Sequence, residues 1–101
     1  MAGRYASFSE FYPFYLSEHA NPACRRLHFA GTSLVLGCLV AVIVTGNGWW
    51  LAAAPVAGYG FAWIGHFFFE HNRPATFTHP LYSLIGDWVM YRDMLTGRIR
   101  F

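Results

Sequence analysis

The chain has 101 residues and no lysine, and its seven arginines outweigh five acidic residues to give a net charge of +2. Hydrophobic residues make up 55% and aromatic residues 20%, while charged residues are only 12%, about half the fraction usual in a soluble domain. This length supports a single domain, 1–101, and so small and dispersed a charge excludes a nucleic-acid surface.

The first element expected is a short helix over 7–18. Ser7 and Glu10 form a capping box, and Phe8, Phe11, Tyr12, Tyr15 and Leu16 follow at helical spacing. Pro13 should kink this helix, and its aromatic side suits a position along a membrane surface. The segment lacks the short apolar core and small-residue exit of a cleavable signal peptide, so none is expected.

Asn21-Pro22 is a restart signal, with Asn as cap and Pro as first helical residue. The helix predicted over 22–45 carries Arg25, Arg26 and His28 in its first two turns and then becomes wholly apolar from Phe29 to Thr45. After the Gly46-Asn47-Gly48 turn, a second apolar run extends from Trp49 to Phe69, within a helix expected over 49–71. As helices the two runs reach about 25 Å and 31 Å, against a hydrocarbon core of about 30 Å. Neither contains a charge. A chain this short cannot cover both helices as a soluble core would, so two membrane spans are expected.

Small residues recur at every fourth position on each span: Ser33, Gly37 and Ala41 on the first, Ala54, Gly58 and Ala62 on the second. Such ladders let another helix approach closely. The second ladder runs on into His66 and Glu70, so the packed face should present His66. Cys24 and Cys38, on one helix and unable to pair, are read as reduced packing residues.

Thr78-His79-Pro80 is a second cap-and-proline start, opening a helix over 80–96 that Gly97 ends. Asp87, Arg92 and Asp93 among Leu81, Leu84, Ile85, Trp88 and Leu95 make it amphipathic and interfacial rather than spanning. The fold class expected is therefore all-α and integral to the membrane: a two-span antiparallel hairpin plus two short amphipathic or interfacial helices, four in total. The turn between the spans is uncharged, while Arg4, Arg25, Arg26, Arg73, Arg92, Arg98 and Arg100 all lie on the other side. The positive-inside rule puts both termini and all five histidines at the cytoplasmic face.

His28 and His66 stand equally far in sequence from Asn47, so an antiparallel hairpin brings both to one depth. With His19 and His79 at neighbouring helix starts they form a candidate metal site, since neutral imidazole is the commonest protein metal ligand. Glu70 is a candidate ligand or outer carboxylate, Asp87 a candidate for the same role, and His79 is alternatively a cap-position residue. Nitrogen and oxygen donors from several helices suit non-haem Fe(II) better than structural zinc. Arg25, Arg26 and Arg73 at the same mouth could bind lipid phosphate or the carboxylate of an amphiphilic substrate.

Three segments carry a family likeness: Tyr15-Leu-Ser-Glu-His19-Ala-Asn21-Pro22, Arg26-Leu-His28-Phe-Ala-Gly31-Thr32, and Gly65-His66-Phe-Phe-Phe-Glu70-His-Asn72-Arg73-Pro74-Ala75. They resemble the small membrane proteins typified by the yeast 2-hydroxy-fatty-acid dioxygenase of phytosphingosine breakdown, over nearly the whole chain including Pro80 to Leu84 and Gly86-Asp87. The resemblance implies Fe(II)-dependent α-oxidation of a 2-hydroxy fatty acid by O2, giving a product one carbon shorter. It places the family's histidines on His19, His28 and His66 with Glu70 in the same signature, and leaves His71 peripheral. Glu70 and Asp87 are then the expected catalytic positions, and Arg25, Arg26 and Arg73 the substrate-binding ones. Two alternatives stand beside it: a bis-imidazole haem protein on His28 and His66, and a non-enzymatic membrane module binding lipid or a partner. A homo-oligomer is left open.

Overall fold

Residues 5–101 are described by the computed structural model, and they form four α-helices without a strand. Arg4, one of the charges used for orientation, lies outside the described residues. Helix α1 (Phe8–Ser17) begins as its sequence dictates: the Ser7 hydroxyl accepts the Glu10 N–H at 3.3 Å. Asn21 then caps α2 (Pro22–Thr45) by accepting the Ala23 N–H at 2.8 Å, with Pro22 at the first helical position. Gly46 ends α2 in the left-handed region at φ +69°, where a side chain would be strained. The Asn47 side chain accepts the Trp49 N–H at 3.0 Å, starting α3 (Trp49–Ile64).

Helix α3 departs from the sequence expectation. A regular α-helix through residue 71 was expected, yet the backbone widens into a π-helical turn at Gly65–Glu70. His71 closes that turn with φ +60°, and its N–H bonds back to the His66 carbonyl. The extra residue per turn breaks the every-fourth-residue register, so Glu70 no longer continues the face of Ala62 and His66. A short 3-10 turn, Ala75–Phe77, leads into α4 (Pro80–Leu95). His79 occupies the cap position of α4, where its carbonyl accepts the Ser83 N–H at 2.8 Å.

Helices α2 and α3 pair as the antiparallel hairpin, and α2 and the continuous stretch of α3 with its π-turn, Trp49–Glu70, are each long and apolar enough to cross a membrane. Little of that apolar surface is covered by the chain itself: every residue from 43 to 52 is exposed, as are Val56 and Phe68. The two spans approach through Gly31, where an added Cβ would lie 3.0 Å from the Phe61 Cβ and 3.2 Å from the Ala57 carbonyl. Gly58 meets Val35 on the facing helix. The ladder expected on α2 does not serve this contact. Gly37 faces open space and Ser33 instead bonds the Tyr91 hydroxyl of α4 at 2.9 Å, because Gly31 and Val35 take the inner face.

Helices α1 and α4 gather at the end of the hairpin away from the turn. Phe11, Tyr15, Ala75, Met90 and Met94 form their buried core. Tyr12 donates to Asp93 Oδ2 at 2.8 Å, and Tyr15 donates to Asp87 Oδ1, tying α1 to α4 at two levels. Helix α4 packs on α1, α2 and the 3-10 turn but hardly on α3. The gap left between α3 and α4 is a groove.

Candidate metal centre

Three imidazoles meet where α1 ends, α2 begins and α3 widens. His19, His28 and His66 are all buried, at 1%, 6% and 1% exposure, which removes them from any role as polar surface tips. Their rings stand edge to face, His19 4.4 Å from each of the other two and those two 5.1 Å apart between centroids. Cys24 joins them from one turn before His28, and the four ligand atoms lie within 4.8 Å of one another. Cys24, expected as a packing residue, thus also stands beside the three rings.

Hydrogen bonds decide which nitrogen each ring turns inward. His19 Nδ1 lies 2.6 Å from the Tyr15 carbonyl, an oxygen that only accepts, so Nδ1 carries the proton. His66 Nδ1 lies 2.7 Å from Asn72 Oδ1, and the Asn72 amide is oriented by donating its own N–H to the Glu18 carbonyl at 3.1 Å. His66 therefore also carries its proton on Nδ1. Both Nε2 atoms are then bare lone pairs, and they face each other at 2.9 Å. Two acceptors at that distance repel unless a cation sits against both. A proton is a poor candidate, because burial holds the His19 pKa well below its ordinary value.

His28 completes the pattern. Its Nδ1 faces Asp87 Oδ1 at 3.6 Å, while its Nε2 is buried without a hydrogen-bond partner among the described residues. A buried polar atom without a partner is costly, and three converging imidazole nitrogens are the donor set of a metal ion. His19 and His66 have their outer nitrogens held by a carbonyl and an amide, the arrangement that fixes tautomer and direction in metal-bound histidines, and the Asp87 carboxylate faces the outer nitrogen of His28. The residues present fit a metal.

The other sequence candidates lie elsewhere. Glu70 Oε2 accepts the Asn21 N–H at 2.5 Å, closing the π-turn onto the start of α2 rather than joining the cluster. His79 bonds the Thr78 hydroxyl at 2.8 Å and packs on Tyr5, Phe11 and Phe14, away from the three rings. His71 is exposed. Arg25 donates to the His19 and Ala20 carbonyls at 3.1 and 2.8 Å, and Arg26 to the Phe101 carbonyl at 2.9 Å. Arg73 is exposed. None of the three lines the groove between α3 and α4. Asp87 does, with His28 and Thr32 at its polar end.

That groove, about 210 Å³, continues from His28 along the hairpin past Val35, Ala54, Gly58, Tyr59 and Ala62, with Leu84 and Trp88 on the α4 side. Its walls are apolar beyond the first turn.

Sequence reasoning missed Tyr15 and Asn72 as holders of the cluster. Tyr15 stands one helical turn before His19, a spacing that puts its carbonyl within reach of the ring. Asn72 sits just past the π-turn, and its approach to His66 depends on that distortion.

No curated protein and no solved structure matches the chain. The family model described as 2-hydroxy-palmitic acid dioxygenase Mpo1-like matches residues 5–99, a span that takes in all four helices and every residue of the cluster. The chain belongs to the Mpo1-like family.

Proposed function

We propose that this chain is a membrane-embedded Fe(II)-dependent dioxygenase that cleaves the C1–C2 bond of a 2-hydroxy fatty acid, with O2 as oxidant, leaving an acid one carbon shorter. The observation that carries this reading is the convergence of two tautomer-fixed Nε2 lone pairs, on His19 and His66, with the His28 Nε2, buried and without a hydrogen-bond partner among the described residues, at the head of an apolar groove. The family description supplies the reaction class and the substrate class.

His19, His28 and His66 would hold the iron, whose contribution when bound is the activation of O2. The chain supplies the rest. The Tyr15 carbonyl and Asn72 hold His19 and His66 in their ligating tautomer, and Asp87 faces the outer nitrogen of His28. The groove orients the acyl chain, its polar end at His28, Thr32 and Asp87 receiving the carboxylate and 2-hydroxyl. Asp87 is there to accept a proton from that hydroxyl. Arg25, bonded to the His19 carbonyl, provides a positive field that favours an anionic head group without contacting it. Arg26 and Arg73, further out, suit lipid phosphate. Glu70 holds the π-turn against α2 and so keeps His66 opposite His19.

The membrane setting rests on the two long, apolar and largely uncovered helices. Arginine asymmetry sets the histidine end in the cytoplasm, which for a bacterial protein is the inner face of the inner membrane. The haem alternative is disfavoured by crowding: His19 stands 4.4 Å from both His28 and His66, leaving no slot for a macrocycle between them.

The test is to incubate detergent-purified protein with Fe(II), O2 and 2-hydroxypalmitate and follow the product by mass spectrometry. A fatty acid one carbon shorter is expected from wild type and none from His66→Ala. Iron-loaded wild type that leaves the substrate intact overturns the proposal.

A further inference from the structure

Tyr15 is fully buried and touches two of the three imidazole assemblies by different groups. Its carbonyl accepts the His19 Nδ1 proton at 2.6 Å, and its ring stacks on the His19 imidazole with centroids 4.0 Å apart and planes 25° from parallel. Its hydroxyl reaches across to α4 and donates to Asp87 Oδ1, the same oxygen that faces His28 Nδ1 at 3.6 Å. Gly86, next to Asp87, permits this reach: an added Cβ there would lie 2.9 Å from the Tyr15 ring.

From this we infer that Tyr15 is a positioning residue of the metal centre, coupling the directions of His19 and His28 through one side chain. The inference rests on the proposed metal site but not on the proposed reaction. A carboxylate oriented by the Tyr15 hydroxyl keeps the His28 proton on Nδ1 and so keeps Nε2 turned inward. Without the hydroxyl, Asp87 loses a donor and is free to rotate away, and His28 is free to take either tautomer. His19 is unaffected by that loss, because its partner is the backbone carbonyl. The hydroxyl thus serves His28 alone, while the rest of the residue serves His19. A simple core tyrosine would show no such division.

The experiment is an anaerobic Co(II) titration of the full chain in detergent, read by the visible absorption of the bound ion, for wild type, Tyr15→Phe, Asp87→Asn and the double variant. Phe keeps the ring, its stacking and the carbonyl. Tyr15→Phe is expected to weaken Co(II) about tenfold, the usual effect of losing an outer partner of a metal-bound histidine. The double variant is expected to bind no more weakly than Asp87→Asn, because the hydroxyl acts through Asp87. Wild-type affinity in Tyr15→Phe, or losses that add in the double variant, overturns the inference and leaves the metal centre standing. A wild type that binds no Co(II) overturns both. Nitrogen NMR of labelled histidines in the metal-free protein gives a second reading, with His28 alone expected to leave its Nδ1–H tautomer in Tyr15→Phe. A shift of all three rings, or of none, speaks against it, and if Tyr15→Phe does not fold, Asp87→Asn must move His28 alone.

Discussion

Each imidazole of the cluster owes its direction to a different kind of partner, and these partners differ in how replaceable they are. A backbone carbonyl holds His19 and survives any substitution at Tyr15 that keeps α1 helical. His66 depends on the Asn72 side chain, whose amide is in turn held by the Glu18 carbonyl. Asn72→Ala removes the acceptor and leaves the His66 proton free to move to Nε2, the atom required as a ligand. Metal affinity should fall about ten- to a hundredfold while the helix content is unchanged. Isothermal titration of the metal with circular dichroism alongside checks it, and equal affinity would show that the π-turn alone aims the ring. At this scale the sequence displayed the three histidines but not their holders. Helical spacing and the family likeness single out His19, His28 and His66, whereas the Asn72 contact comes from a backbone distortion that no periodicity announces.

Among elements, the π-helical turn does most to shape the site. A regular helix would send Glu70 along the Ala62–His66 face, and the widened turn sends it instead to the Asn21 N–H at the start of α2. Gly65 opens that turn and lies directly over Cys24: an added Cβ would stand 2.9 Å from the thiol sulfur and 3.2 Å from the Cys24 Cα. The second of these neighbours is backbone and cannot yield by rotating. Gly65→Ala should therefore push α3 away from α2, carry His66 away from His19, and cost about 1–3 kcal/mol in stability. Thermal unfolding in detergent and a metal titration are expected to fall together. A variant that keeps full metal affinity would mean that the cluster tolerates a wider helix spacing. The helix starts at Ser7, Asn21 and Pro80 and the stops at Gly46 and Gly97 were legible because caps and glycines act within a few residues. Which small residues form the contact between the spans was not, since Ser33-Gly37-Ala41 and Gly31-Val35 are equally permissible faces until the partner helix chooses one.

At the scale of the whole molecule, the hairpin and the two shorter helices divide the labour between anchoring and chemistry. The turn end, from 43 to 52, is exposed and uncharged, and all charged side chains among the described residues gather at the other end. In the proposed topology Asn47 lies outside the membrane and both chain ends lie inside. In a background with Cys24 and Cys38 replaced, Asn47→Cys in whole cells should react with a membrane-impermeant maleimide without lysis, and Ala20→Cys only after lysis. The reverse pattern would invert the orientation. The sequence by itself determined the helical class, the hairpin and the end that holds the histidines, because hydrophobic length, caps and charge asymmetry are local or additive properties. Only the tertiary structure decided that His79 stands apart, that Glu70 closes a turn and that Tyr15 and Asn72 aim the rings. Those outcomes depend on where helices cross and on one extra residue in a turn, and such geometry arises from the packing of distant segments against each other.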